Sequence, residues 1–353
     1  MEMTLRWYGS KFDTVTLKQI RQIPGVTGVI TTLYDTEPGE VWTRERIRAL
    51  KEEVEAAGLR IAGIESVNVH DAIKTGAEDR DLYIDNYVKC LENLGEEDIH
   101  LVCYNFMPVF DWLRSELEHK HKDGSDSLAY DDKTVKAMDP VTSELSLPGW
   151  DASYTKDELR GLINAYKEIG EEGLWRNLET FLKAVIPVAE EAGVSMAIHP
   201  DDPPWGMFGL PRIITNKENI ARMLAVVPSK NNGLTFCTGS LGANPENDLV
   251  DMAKSFADRI HFVHLRNIQY TGERCFKEVG HPTSCGSLDM YAIAKTLVDN
   301  GFDGYVRPDH GRMIWGEKGR YGYGLFDRAL GATYLAGLFE AIERAVANGA
   351  CEV

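Results

Sequence analysis

The chain of 353 residues predicts one large α/β domain, a (β/α)8 TIM barrel with an insertion after its fourth strand. Three observations carry that expectation. Eight short β-prone runs recur along the sequence, helix-like segments lie between them, and no linker long enough to separate two domains interrupts the series. Strict alternation implies a parallel sheet with helical crossovers, and eight units suggest closure into a barrel. A doubly wound open sheet is the competing arrangement, but no GxGxxG follows the first run.

In order, the runs are "TLRWYG", "GVTGVIT", "RIAGIES", "IHLVCYN", "SMAIHP", "GLTFCTG", "RIHFVHLRN" and "GYVRPDHG". β-Branched and aromatic residues suit them to a pleated strand. In the last run Pro308 has no N–H to give a ladder, so pairing should stop where Asp309 and His310 begin. Helical patterns include "TRERIRALKEEVEAAG", "RDLYIDNYVKCLENLG", "LETFLKAVIPVAEEAG", "KENIARMLAVV" and "LDMYAIAKTLVDNG", several closing on a Gly suited to a helix C′ position. The spacing breaks once, over residues 106–170, in a polar, turn-rich stretch after the fourth strand. Chain leaving a barrel strand emerges at the C-terminal mouth, so this insertion is expected to be a lid or a subunit contact, ordered by Trp112, Leu147 and Trp150. Residues 1–353 are otherwise read as a single domain.

A formal charge of −17 argues against a nucleic-acid ligand, which needs clustered Lys and Arg. No run approaches the ~18 consecutive apolar residues of a membrane span, and the N-terminus lacks the apolar core of an export signal. The six cysteines, at 90, 103, 237, 275, 285 and 351, form no CxxC pair and are read as reduced thiols, which points to a cytoplasmic protein.

Four neighbouring strands end in metal-ligating side chains. The fifth run ends in His199, the sixth in Cys237, the seventh in His264 and the eighth in Asp309, all where barrel enzymes place their chemistry. Two imidazoles, a thiolate and a carboxylate make a donor set for a divalent transition metal. Taken singly, a cysteine in an apolar strand is usually a small buried hydrophobe, and a histidine usually satisfies a core hydrogen bond. Spacings of 38, 27 and 45 residues are too long for a structural zinc finger and match about one ligand per βα unit. Strand parity agrees: His264 shares a face with Phe262, Cys237 with Thr235 and His199 with Ala197, while His261 falls on the opposite face and is read as a packing residue. Around this centre lie groups suited to acid–base work: His310 beside Asp309, Arg266 two residues beyond His264, and Tyr323 in the loop after the eighth strand.

Through "RWYG", "VCYNFMPVFDW", "LPGWD", "AIHPDDPPWGMFGLPRI", "RPDHGR", "WG" and "GYGLFDRALGATY" the chain resembles mannonate dehydratase, almost end to end. The resemblance implies a metal-dependent (β/α)8 lyase of hexuronate (glucuronate) catabolism that removes water from D-mannonate to give 2-keto-3-deoxy-D-gluconate, using Mn2+ or Fe2+. It implies metal ligands at His199, Cys237, His264 and Asp309, catalytic groups at Arg266, His310 and Tyr323, and a cytoplasmic homo-oligomer, a dimer, with no nucleic-acid or membrane partner. The stretch after Asn267 departs from the family in holding Cys275, His281 and Cys285, soft donors that either lie at the surface or extend the ligand set.

Dehydration of a 2,3-dihydroxy acid takes a proton from C2 and loses hydroxide from C3, so negative charge near C1 must be stabilised. Arg266 is expected to share in that through a bidentate contact. His310 is expected as acid at the C3 oxygen and Tyr323, as phenolate, as base at C2. The competing enzymatic reading is a metal-dependent sugar isomerase or epimerase of xylose-isomerase type, which moves protons without losing water. A metal-dependent phosphodiesterase would want several metals and a basic groove, and a non-catalytic binding protein leaves the polar cluster at one barrel face unexplained.

Overall fold

A computed structural model describes residues 1–142 and 154–349. Leu147 and Trp150, with the "LPGWD" segment and Cys351, lie outside the described residues. Eight parallel strands form a closed barrel: β1 (Glu2–Arg6), β2 (Val26–Thr31), β3 (Arg60–Glu65), β4 (Leu101–Tyr104), β7 (Ser195–Ile198), β8 (Asn232–Cys237), β9 (Ile260–His264) and β12 (Tyr305–Arg307). Each falls on one of the eight β-prone runs. The ladder of β12 stops at Arg307, directly before Pro308.

Helices close over the barrel because their apolar residues recur at helical spacing. In the helix Arg44–Ala56, Thr43 caps the N-terminus by accepting from the Arg46 N–H, and Ile47 and Val54 turn inward. The helix Lys156–Glu191 opens with a capping box between Thr155 and Glu158 and bends at Gly170. It is followed by Gly193 at φ 66°, a left-handed stop that a β-carbon would strain.

Alternation along the strands divides the core in two. Ile30, Ala62, Leu101, Cys103, Ala197 and Phe262 pack together inside the barrel, whereas Ile198, Phe236, Val263 and Leu265 belong to the larger layer between barrel and helices. Thr235 also faces the interior, its hydroxyl meeting the Cys103 sulfur at 3.2 Å. The parity expected from sequence therefore places His199, Cys237 and His264 on the axial side. His261 lies on the other face, where its ring bonds the Lys230 carbonyl.

A second sheet is the main feature that sequence reading did not foresee. β5 (Glu116–Lys120) and β6 (Asp126–Asp131) arise after β4, and β10 (Ile268–Gly272) and β11 (Cys275–Glu278) after β9. They join antiparallel in the order β10-β11-β6-β5. Two excursions from the barrel's C-terminal end thus meet in one sheet, and its strand β11 ends in Glu278.

Candidate metal centre and active site

The barrel order β7-β8-β9-β12 makes the four ligand-bearing strands neighbours. Cys237 and His264 are direct register partners across β8 and β9, His199 follows β7 by one residue, and Asp309 follows β12 by two. His199 Nε2 lies 3.2 Å from His264 Nδ1, Cys237 Sγ 3.7 Å from Asp309 Oδ2, and His264 Nδ1 3.8 Å from Asp309 Oδ1. The donor atoms of His199, Cys237 and His264 all fall within 4.8 Å of one another. Asp309 reaches the cluster with φ at 61°, a left-handed conformation that costs an aspartate on the order of 1–3 kcal/mol.

Hydrogen bonds show which nitrogen of His199 is bare. Its Nδ1 is 2.7 Å from the Pro200 carbonyl, which can only accept, so Nδ1 carries the proton and Nε2 turns a lone pair towards His264. A buried convergence of two imidazoles, a thiol and a carboxylate fits a divalent transition metal.

Beside this cluster stands a chain of polar contacts. Glu278 accepts from His310 Nδ1 at 2.9 and 3.0 Å, and His310 Nε2 lies 3.0 Å from the Tyr323 hydroxyl. His310 Nδ1 thus lies between the Glu278 carboxylate, which only accepts, and an Arg266 N–H at 2.6 Å, which only donates, while Nε2 faces the phenol. Arg114 and Arg266 also donate to Glu278, and both donate to Asp202. Trp112 covers the other side of His310, ring centroids 4.8 Å apart. Gly239 leaves room for this network, since a β-carbon there would collide with the Arg266 side chain.

A cavity of about 90 Å3 is lined by His199, Asp309, His310, Tyr323, Arg6, Glu65, Arg307 and Trp112 among others. A wider cavity of about 350 Å3 adjoins it, sharing Arg6, Tyr8, Ser66, Asp111 and Trp112. Burial would raise the Glu278 carboxyl, but His310, Arg266 and Arg114 outweigh it and bring it down to about 2. Burial likewise opposes ionisation of Asp309, yet His310, Arg307, His264 and Arg266 hold it well below the usual range. At Tyr323 burial prevails over Arg307 and pushes the phenol above its ordinary value.

With this geometry in place, three comparisons bear on ancestry. The D-mannonate dehydratase family model matches residues 1–348. The chain belongs to the D-mannonate dehydratase family. It is 56% identical over 344 residues to the mannonate dehydratase of Streptococcus agalactiae serotype III (strain NEM316), covering 97% of this chain and 99% of that one. The crystal structure of mannonate dehydratase from Streptococcus suis serotype 2 superimposes with a TM-score of 0.92 at 48% identity, covering 98% of this chain and 96% of that one. D-psicose 3-epimerase from Clostridium cellulolyticum H10, solved with D-tagatose, aligns with a TM-score of 0.57 at 12% identity over 97% of this chain and 99% of that one, a likeness of fold alone.

Within this hydro-lyase family frame, two of the expected side chains stand in surroundings that the sequence did not show. Arg266 was expected to share the substrate's negative charge through a bidentate contact; its guanidinium meets Asp202, Glu278, Ser240 and, at 2.6 Å, His310 Nδ1, and is not among the residues lining the cavity. Arg6 and Arg307 line it instead. Tyr323 was expected as a phenolate base, and burial raises its phenol above the ordinary value. Of the three extra soft donors, His281 is buried against the Pro308 carbonyl at 2.7 Å, Cys275 meets Asp131, and Cys285 is exposed. None joins the His199 cluster.

Glu278, Asp202, Arg114, Glu65 and Arg307 were missed. Glu65 carried a usable signal, because "RIAGIES" ends in a carboxylate just as "SMAIHP" ends in a histidine. Glu278 carried none, since its meeting with His310 depends on a sheet assembled from two excursions.

Proposed function

We propose that this chain dehydrates D-mannonate to 2-keto-3-deoxy-D-gluconate, with His199, Cys237, His264 and Asp309 holding one Mn2+ or Fe2+ ion. The observation that carries this reading is the juxtaposition of the His199–Cys237–His264 cluster, with Asp309 3.7–3.8 Å from two of its members, and the Glu278–His310–Tyr323 chain in a protein of this family. When bound, the ion would supply Lewis-acid stabilisation of the negative charge that develops near C1.

The chain's own residues supply the rest. Arg6 and Arg307, each also paired with Glu65, offset the carboxylates of the cavity wall where an acid substrate enters. His310, in the tautomer that donates Nδ1–H to Glu278, takes the C2 proton on Nε2. The electron pair of that C–H bond forms the C2–C3 double bond, and the C3–O bond breaks with its own pair. Tyr323, kept protonated by burial, gives its proton to the departing oxygen, which leaves as water. The 3.0 Å contact then returns the proton from His310 Nε2 to the phenolate, and the enol becomes the 2-keto acid by losing its hydroxyl proton and gaining one at C3. Arg266 acts by positioning, holding Glu278 against His310.

Residues 106–170 act as a lid on this single domain, a role supported by Trp112 over His310 and Arg114 within the buried network. We also read the protein as a cytoplasmic homodimer. The five described cysteines are all free, which suits a reducing compartment, and the exposed ring pair of Trp315 and Phe326 supports a contact between copies. Light scattering on the intact protein checks the dimer.

The test of the reaction is NMR on D-mannonate incubated with metal-loaded protein. Dehydration is expected to give a new methylene at C3, whereas an isomerase or epimerase would leave an isomer with every oxygen retained.

A further inference from the structure

A second set of donors lies against the opposite edge of His264, comprising Glu65 and Cys103. Glu65 ends β3, across the barrel interior from β9. Its Oε1 is gripped by Arg6 at 3.0 Å and Arg307 at 2.9 Å. Its Oε2 and His264 Nε2 are both buried without a hydrogen-bond partner, and they face each other at 3.6 Å. Arg307 also reaches Asp309 at 2.9 Å and lies 3.4 Å from His264 Nδ1.

Two functions could be read into Glu65, Cys103 and His264. A second cation would have to sit beside two guanidinium groups, next to a Cys103 thiol that burial keeps neutral. Charge therefore disfavours it. The alternative requires only one proton in the right place. His199 Nε2 and His264 Nδ1, 3.2 Å apart, both present lone pairs when they share an ion, and Arg307, which only donates, suits the same bare Nδ1; the ring proton of His264 then belongs on Nε2, opposite a carboxylate oxygen that has no other donor. The 3.6 Å separation exceeds a hydrogen bond by a few tenths of an ångström, which a small turn of the ring would remove.

We propose that Glu65 is a positioning residue for the metal centre: it takes the Nε2–H of His264 and so keeps the Nδ1 lone pair aimed at the point shared with His199, Cys237 and Asp309. This rests on the reading of His264 as a ligand, and it follows the general rule that a ligating imidazole is oriented through its other nitrogen.

The charge-removing variant makes a sharp test because of the arginines. In Glu65→Gln the amide oxygen must face Arg6 and Arg307, which only donate, so its NH2 turns to His264 Nε2. That donor demands a lone pair on Nε2 and drives the proton to Nδ1, the nitrogen aimed at the metal. Chelated protein would be titrated with Co2+, whose thiolate charge-transfer and ligand-field absorption report Cys237 and the imidazoles. Glu65→Gln is expected to bind Co2+ about 10–100-fold more weakly with an altered ligand-field spectrum, and Glu65→Asp, which keeps the carboxylate, to stay nearer to wild type. Co2+ affinity and spectrum unchanged in Glu65→Gln, whatever happens to its melting temperature, would overturn the inference. If that variant does not fold, long-range 1H–15N NMR of histidine-labelled wild type decides: His264 protonated on Nε2 supports the inference and on Nδ1 overturns it. A wild type showing no thiolate charge transfer with Co2+ would overturn the metal-site reading itself, a result distinct from equal binding by wild type and variant.

Discussion

Cys237 is the residue whose chemistry most distinguishes the proposed centre from a cluster of ordinary polar side chains. A hydroxyl is a harder and poorer donor than a thiolate. Cys237→Ser is therefore expected to lose metal affinity by at least the ~10–100-fold that changes outside the ligand shell typically cost, and to lose the charge-transfer band of its Co2+ form. Unchanged metal content after dialysis would remove Cys237 from the ligand set. His310 and Tyr323 separate chemistry from metal binding: His310→Asn and Tyr323→Phe should each retain the metal while kcat falls ~10²–10⁴-fold. Exchange of the C2 hydrogen of mannonate with solvent deuterium tells them apart. It should vanish in His310→Asn and persist in Tyr323→Phe, and the opposite pattern would restore the tyrosine as base.

At the scale of elements, the sheet β10-β11-β6-β5 couples two excursions to the reaction centre through Glu278. The folded Glu278 carboxyl sits near 2, against an ordinary value of 4.5. A lowered folded pKa means a stabilising contribution that is present above about pH 4.5 and is lost as pH falls towards about 2. Glu278→Gln should accordingly be less stable than wild type at neutral pH, on the order of 3 kcal/mol for breaking a buried ionic network, and the difference should shrink below pH 4.5 in chemical denaturation. A difference independent of pH would mean that the carboxylate's charge is not what matters.

The same elements show what sequence could convey. The eight barrel strands were legible because each is a local apolar run, and the inward side of β7, β8 and β9 followed from alternation about Ala197, Thr235 and Phe262. β5 was not, since "ELEHK" is polar and largely exposed and gains its place only by pairing with β6. "IQYTG" and "CFKE" were noticed for Cys275 rather than for the hairpin they form, and β11 pairs with β6 from well over a hundred residues away. Arg266 was found by parity, but Asp202 and Glu278, the partners of its guanidinium, arrive from other elements and could not be read from its own strand.

For the whole molecule, the division between a packed barrel and a polar mouth sets the response to metal removal. The large core between barrel and helices contains none of the proposed ligands, so chelation should abolish dehydration while far-UV circular dichroism stays close to that of loaded protein. Loss of helical signal on chelation would show that the site also holds the fold together. A net charge of −17 fits this division, with cationic Arg6 and Arg307 confined to the substrate cavity of an acidic protein. The most direct measurement is dehydration of D-mannonate by chelated protein as Mn2+ is restored in known amounts. Formation of 2-keto-3-deoxy-D-gluconate should be absent at the start, rise in proportion to bound ion, and level off at one ion per chain. Product from fully chelated protein, or none at full occupancy, would contradict a reaction centred on the four strand ends.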